Sequence, residues 1–322
     1  MGIESVNRVC EDFKNNKKEI TIGQKIKGHF VLTRPLQLIW FDIFASLAVF
    51  AIVAQHFPNA HYLFFMLAAI TADAGACTLN DFGDLSCDSN STESSRKLRP
   101  LPAGIISKRA AVTQAAMLYT IGLLITLYLG YYIFIAAFLL VMLSIQYSLK
   151  PLKMDGRPVV SQLFWVTFGL MYYLAVVAYL IKYEHVAMQN IYNGLYFLMT
   201  MVIFAGLAET LAKDLRDLEN DRTGGKITTP VYFGVKPAVV GSFVFSMTGM
   251  IFWAIPFFTV WKTHGLIQFF IILIFILWSI LCLGLCWSLF KKYSKINARK
   301  LHQGYILTFT YILAITFFAG VT

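Results

Sequence analysis

The chain has 322 residues and a formal net charge of +10, yet only 14% of its residues are charged and 58% are hydrophobic. With a mean hydropathy of +0.65, this composition excludes an ordinary soluble domain. Several apolar runs approach the roughly 20 residues that cross a bilayer as a helix, so the chain reads as an all-α integral membrane protein. Five cysteines, Cys10, Cys77, Cys87, Cys282 and Cys286, show no paired framework. Cys282 and Cys286, one turn apart in an apolar run, read as buried thiols.

The first 30 residues are polar and of mixed charge, which argues against a cleavable signal peptide. Within them Ile20–Phe30 reads as either an interfacial helix or a solvated tail. Residues 1–35 are thus expected to be an N-terminal segment outside the membrane, followed by a single helical domain over 36–322. Nine candidate spans follow at 36–56, 61–82, 109–129, 131–149, 159–181, 191–213, 237–261, 265–290 and 302–321. Only Gly130 separates the third from the fourth, so a helical hairpin is expected there. Seven Lys and Arg residues precede the first span; five lie around loop 2–3, three in loop 4–5, five in loop 6–7 and five in loop 8–9. The opposite connections hold only Lys182 and Lys262. By the positive-inside rule the N-terminus and the basic loops are cytoplasmic and the C-terminus lies on the other side. Asn90-Ser91-Thr92 matches a glycosylation sequon, but on the cytoplasmic side it reads as plain loop.

Two acidic clusters end the second and sixth spans on that basic side. The first runs Asn80-Asp81-Phe82-Gly83-Asp84-Leu85-Ser86-Cys87-Asp88, the second Lys213-Asp214-Leu215-Arg216-Asp217-Leu218-Glu219-Asn220-Asp221. Each sets carboxylates at i, i+3 and i+7, one stripe of a helix. Like charges on one face need a cation, and sulfur-free oxygen ligands suit a hard one such as Mg²⁺, which takes one or two carboxylates with waters and substrate phosphates. Basic residues stand nearby: Arg34 at the entry to the first span, Arg96, Lys97 and Arg99 in loop 2–3, Lys150, Lys153 and Arg157 in loop 4–5, and Lys213 and Arg216 inside the second cluster. Taken singly, each is an ordinary positive-inside charge; two clusters of one spacing on one face favour a site that holds metal against an anion.

These residues carry a resemblance to the UbiA superfamily of intramembrane prenyltransferases, whose members have an Asn-Asp-x-x-Asp-x-x-x-Asp motif after the second helix and a second aspartate motif after the sixth. Arg34-Pro35, Arg99-Pro100-Leu101-Pro102-Ala103-Gly104, Tyr147-Ser148-Leu149-Lys150-Pro151-Leu152-Lys153 and the stretch from Lys213 through Gly225 to Tyr232-Phe233-Gly234 are similar to further family elements, so the likeness covers nearly the whole chain. Ala103 replaces the usual serine, and Ser89–Leu98 is a few residues longer and more serine-rich than usual, which leaves Arg96 and Lys97 without an aligned role. The resemblance implies nine transmembrane helices around a central cavity, capped by cytoplasmic loops. It implies Mg²⁺ held among Asn80, Asp81, Asp84, Asp88, Asp214, Asp217 and Asp221, with Asn80, Asp84, Asp217 and Asp221 foremost. It implies a diphosphate held by Arg34, Arg99, Lys150, Lys153 and Lys213. The implied reaction ionises an allylic isoprenyl diphosphate and passes the prenyl group to a hydrophobic or aromatic acceptor, or a lipid one, with Asp84 and Asp217 essential for catalysis. The full second motif looks more like the quinone, tocopherol, chlorophyll and archaeal-lipid branches than the 4-hydroxybenzoate branch.

Asp42, Asp73 and Glu209 fall inside predicted spans, where an ionised side chain is expensive and usually faces a cavity. Asp73, near the face of Asp81, reads as a catalytic group; it and Asp42 would polarise or deprotonate the acceptor or relay a proton, bracing acids are the alternative, and Glu209 stays open between the two. His56, His61, His185 and His302 read as surface residues. The competing function is a membrane terpene cyclase with the same site but no acceptor. A transporter would place its acids at midplane on broken helices rather than at one rim. The expected partners are the isoprenyl diphosphate, the acceptor and the lipid bilayer, with no nucleic acid.

Overall fold

A computed structural model describes residues 20–91, 93–259 and 265–321; most of the expected N-terminal segment, including Cys10, and Lys262 lie outside the described residues. Every regular element among them is a helix. Thr21 caps α1 (Ile22–Leu32) through a capping box: the Gln24 backbone N–H donates to Thr21 Oγ1 at 3.3 Å, and the Thr21 N–H donates to Gln24 Oε1 at 2.9 Å. On α1, Ile22, Ile26 and Phe30 form one exposed stripe, while Gly28 and Leu32 turn inward. The helix is tied to the bundle where Gln114 Nε2 donates to the His29 carbonyl at 3.0 Å.

Helix α2 starts at Pro35, runs through a π-helical segment, Ile39–Phe44, and continues as Ala45–Ala54. It occupies the expected first span, but the π-helical segment interrupts its α geometry, which resumes at Ala45. Hydropathy gave no sign of this, because π turns are set by side-chain packing and not by apolar content. Eight further helices are long and apolar enough to cross a membrane among the described residues. They begin with α3 (Tyr62–Gly83), which leads into two short helices, α4 (Leu85–Asn90) and α5 (Ser94–Lys97). Ser107 caps α6 (Lys108–Leu129). Gly130, at φ +151°, joins α6 to α7 (Tyr131–Ser148) in the expected hairpin. Helix α8 (Val160–Tyr183) follows. Helix α9 runs unbroken over Met188–Gly224, with a second π-helical stretch at Met201–Glu209. The short α10 (Thr229–Phe233) precedes α11 (Val235–Thr259), α12 (Gly265–Lys291) and α13 (Lys295–Val321).

The last helix begins two turns earlier than its apolar run. Lys295 Nζ pairs with Glu93 Oε1 at 2.6 Å and Glu219 Oε2 at 3.1 Å, and Arg299 reaches Glu93 at 3.8 Å. Residues that read as a basic loop therefore lengthen the helix, being good helix formers supplied with acidic partners.

In the bundle α3 packs on α6, α8 on α7, and the π segment of α9 on α11, while α13 lies along α2. The main core, with Phe50, Tyr179, Phe204, Trp253, Trp278 and Tyr305 among its largest members, fills the space between these pairs. A smaller cluster of Leu32, Leu98, Leu101, Ile105 and Ile106 sits at the basic end and anchors the loop after α5 beneath α1. Outward faces stay apolar: α12 has a mean hydropathy of 2.9 with only 22% of its window buried in the bundle, so its remaining surface needs lipid. The chain is a multi-pass integral membrane protein.

Two close approaches bring the motif helices to their neighbours. At Gly83 a Cβ would overlap the Ser148 carbonyl, and at Gly224 it would overlap Cys87 Sγ. The end of α3 thus touches the end of α7, and the end of α9 touches α4. We expect Gly83→Ala to destabilise the protein by about 1–3 kcal/mol, read as a lowered thermal midpoint in detergent, whereas Gly23→Ala, where a Cβ meets nothing within 4 Å, leaves it unchanged.

Candidate active site

Both acidic motifs meet at the basic end of the bundle. The first does not stay on one helix: α3 stops at Gly83, Asp84 is the junction (φ −89°, ψ −1°), and Asp88 sits in α4. The three carboxylates consequently divide between two sets of cations. Arg99 Nη1 pairs with Asp88 Oδ2 at 2.8 Å and approaches Asp81 Oδ1 at 3.6 Å. Arg34, held at φ +49° between α1 and α2, donates to Asp81 Oδ1 and, at 3.4 Å, to Asn80 Oδ1. Asp84 instead faces Lys226, whose Nζ lies 2.6 Å from both Asp84 Oδ1 and Asp155 Oδ2.

The second motif lies on one helix, α9. Arg216 clasps Asp217 with two hydrogen bonds, 2.9 and 2.6 Å. Gln162 Nε2 donates to Asp214 Oδ2 at 3.1 Å, and Thr228 Oγ1 donates to Asp221 Oδ2 at 3.1 Å. Lys213 lies beside Tyr147, Glu209 and Asp217. The joint between the motifs is Arg96: Nη2 is 2.8 Å from Asp217 Oδ1, and Nη1 is 3.4 Å from Asp88 Oδ1. Ser91 Oγ, in the stretch expected to be plain loop, donates to Asn220 Oδ1 at 2.7 Å and adds a second tie.

Of the basic residues singled out in the sequence, Arg34 and Arg99 stand on the acids and Lys213 stands among them. Lys153 donates to the Gly83 carbonyl at 2.9 Å, bracing the turn of the first motif. Lys150 is exposed and makes no ion pair among the described residues. Sequence reasoning missed Lys226 and Asp155 and gave Arg96 no role. Their signals were present: a lone acid in the basic loop 4–5, and a lysine directly after the Gly224-Gly225 helix end. His302 is a correction. It is only 7% exposed, its Nε2 lies 2.7 Å from Glu209 Oε1, and Arg216 contacts the same ring at 3.1 Å. Because α13 starts at Lys295, His302 sits well inside the helix rather than at its mouth, and Glu209 has a partner.

The charges in the loops follow from these contacts. Burial alone would raise Asp84, but Lys226 and a hydrogen bond from Asp155 hold its carboxyl below the usual range. Burial pushes Asp155 up, with the nearby Asp84 charge adding to it and Lys226 opposing it. Burial also raises Asp88 despite Arg99. Lys226 is raised, its two acids outweighing the cost of burial.

As a metal site, the donor set is all oxygen, as a hard cation requires. Among the described residues no three acids, histidines or cysteines are gathered closely enough to form a ready cage. The oxygen donors of the two motifs are of the kind Mg²⁺ takes, a few protein ligands sharing its shell with phosphate oxygens.

The profile of the UbiA prenyltransferase family matches residues 42–318. The chain belongs to that family. It is a UbiA-type prenyltransferase, an enzyme of the membrane. Among its relatives is the digeranylgeranylglyceryl phosphate synthase of Pyrococcus furiosus, 27% identical over 241 residues, covering 70% of this chain and 76% of the other. The enzyme of the same name from Haloquadratum walsbyi is 26% identical over 191 residues, covering 59% of each chain. The fold matches the structure of a digeranylgeranylglyceryl phosphate synthase (TM-score 0.65, 19% identity, 92% of this chain and 99% of that one). It also matches a UbiA homologue from Archaeoglobus fulgidus bound to DMAPP and Mg²⁺ (TM-score 0.62, 20% identity, 91% and 98%).

Lys226→Met leaves Asp84 buried without its cation, and we expect a loss of about 3 kcal/mol near neutral pH. Asp84 contributes above the unfolded carboxylate value of about 3.9 and fails as pH drops through its lowered folded value. Lys226 contributes fully below about 10.4 and fails as pH climbs through its raised one. Thermal midpoints across pH 3–11 should therefore show the difference between wild type and variant widest on the neutral plateau and shrinking towards both ends.

Proposed function

We propose that this protein is a Mg²⁺-dependent prenyltransferase that ionises an allylic isoprenyl diphosphate and transfers the prenyl group to the hydroxyl of a lipid acceptor, releasing pyrophosphate. One observation carries the reading: Arg96 joins two aspartate motifs at the mouth of an apolar bundle, so that cations suited to a diphosphate and carboxylates suited to a divalent metal share one place. The lipid acceptor is favoured because the curated relatives are digeranylgeranylglyceryl phosphate synthases. A geranylgeranyl donor with geranylgeranylglyceryl phosphate as acceptor is the corresponding pair.

The roles divide by chemistry. Arg34, Arg96, Arg99 and Lys226 would turn from their carboxylates to the diphosphate oxygens, with Lys153 and Lys213 adding positive charge and Lys150 at the edge. The residues freed to hold the metal are Asn80, Asp81, Asp84 and Asp88 with Asp214, Asp217 and Asp221. Bound there, Mg²⁺ would supply positive charge against the leaving diphosphate. The arginines share that task, which matters most once the C1–O bond has broken and its electron pair sits on the leaving group. The apolar bundle keeps water from the allylic cation, and aromatic faces can stabilise it. The basic end faces the cytoplasm by the positive-inside rule, and the exposed stripe of α1 lies in the membrane surface.

Asp84→Ala and Asp217→Ala are each expected to lower turnover at least about 1,000-fold while the protein still inserts in membranes; near-normal rates in both would remove the metal-site assignment. The direct test uses proteoliposomes with Mg²⁺ and geranyl, farnesyl or geranylgeranyl diphosphate, with and without geranylgeranylglyceryl phosphate. Acceptor-dependent pyrophosphate release matched by a diprenyl product is the expected result. A cyclised hydrocarbon formed without acceptor would make the enzyme a terpene cyclase, and no pyrophosphate from any donor would overturn the reading.

A further inference from the structure

Of the acids expected inside the spans, Asp42 and Asp73 line a cavity of about 60 Å³ walled mostly by apolar side chains. Glu209 differs from them, because it begins a chain of polar contacts that ends at the second motif. His302 Nε2, on α13, lies 2.7 Å from Glu209 Oε1. Arg216 Nη1 lies 3.1 Å from His302 Nδ1 and 3.4 Å from Nε2. The same guanidinium donates through Nε to Asp217 Oδ1 at 2.9 Å and through Nη2 to Asp217 Oδ2 at 2.6 Å. An arginine can only donate, so the ring nitrogen nearest it, Nδ1, accepts, and the ring proton sits on Nε2 and is donated to Glu209. The contacts therefore run carboxylate, imidazole, guanidinium, carboxylate.

Helix geometry explains what each link does. Glu209 and Arg216 are two turns apart on one face of α9, about 10 Å along the axis at 1.5 Å per residue, and the His302 ring stands between them. Arg216 and Asp217 are successive residues, whose side chains leave a helix about 100° apart and do not face each other. A guanidinium folded back on its neighbour in sequence needs something to keep it there, since water and the other carboxylates compete for it. The chain is not needed as a brace between α9 and α13. Phe204 already packs on Tyr305 and Phe309 between the same two helices, with ring centroids 5.2 and 6.2 Å apart, and apolar side chains in place of a buried ion pair hold as well or better.

Asp217 has two arginines. Arg96 reaches its Oδ1 at 2.8 Å from the loop segment and, on the reading above, turns to the diphosphate. Arg216 belongs to the motif helix itself and is tied to α13. Resting on the Mg²⁺ site proposed above, we propose that Glu209 and His302 are positioning residues that hold Arg216 on Asp217. The carboxylate then keeps its orientation when Arg96 leaves, and the Oδ1 lone pair that Arg96 vacates is free for the metal. Without the tie, Arg216 could follow Arg96 to the diphosphate, and Asp217 would be left to reorient at the moment it must bind. Residues that orient a ligating side chain without touching the metal are typically worth about 10–100-fold in metal affinity.

The decisive variant carries Glu209→Leu and His302→Leu together, which removes both partners and leaves neither stranded in the bundle. It should keep a thermal midpoint in detergent close to that of wild type. The Mg²⁺ concentration for half-maximal pyrophosphate release, in proteoliposomes with geranylgeranyl diphosphate and geranylgeranylglyceryl phosphate, should rise about 10–100-fold. The dissociation constant of Mn²⁺ should rise by the same factor, read without turnover from the electron paramagnetic resonance of the free ion beside a prenyl thiolodiphosphate that does not ionise. His302→Gln, whose amide can donate to Glu209 and accept from Arg216, should stay near wild type in both. If the double variant does not fold, His302→Ala against His302→Gln makes the same comparison. A folded variant with unchanged Mg²⁺ requirement and Mn²⁺ affinity would overturn the positioning role alone. Wild type that neither needs Mg²⁺ nor binds Mn²⁺ would overturn the metal site itself, and the positioning role with it.

Discussion

The architecture at the basic end depends on one constraint: carboxylates at the rim of an apolar bundle must be neutralised. Burying an unpaired charge costs several kcal/mol, and this end carries Asp81, Asp84, Asp88, Asp155, Asp214, Asp217 and Asp221 within a few turns of helix. Arginines and lysines from four separate stretches converge to meet them: Arg34 before α2, Arg96 and Arg99 around α5, Arg216 in α9, and Lys226 after it. The loops are ordered because their cations have somewhere to bind. An anion that attracts these cations uncovers the acids, and a metal that covers the acids frees the cations. Each ligand lowers the cost of binding the other, which is a coupling free energy between two sites that touch.

Much of this was legible in the chain. Apolar runs and the one-sided distribution of Lys and Arg reveal the helix order, and both acidic motifs are plain in the text. What lay hidden shares a cause. Hydropathy marks the part of a helix that lies in lipid, so it cannot say where a helix goes on into water. α9 continues through its acidic motif to Gly224, and α13 begins at Lys295. That extension makes His302 an interior residue bound to Glu209, where an apolar-run count leaves it at a helix mouth. Arg96, Lys226 and Asp155 depend on contacts between segments more than 50 residues apart in sequence, which no local spacing encodes.

The single stripe inferred from i, i+3, i+7 spacing also needs qualification. It holds for the second motif, carried on one helix. In the first, the chain leaves α3 at Gly83, where it lies against the Ser148 backbone, and Asp84 turns to a different counter-ion from Asp81 and Asp88. Identical spacing in the two motifs thus yields different geometry.

The π-helical segment Ile39–Phe44 has a consequence for how this chain compares with others. A π turn arises when one residue more than an α-helix can hold is fitted into the same rise, so it behaves as a one-residue insertion absorbed without a loop. Removing the extra residue from Ile39–Phe44 would restore α geometry and leave the helix on either side close to its present phase. In an alignment of homologous chains, those with a regular first helix should therefore need a one-position gap at this segment.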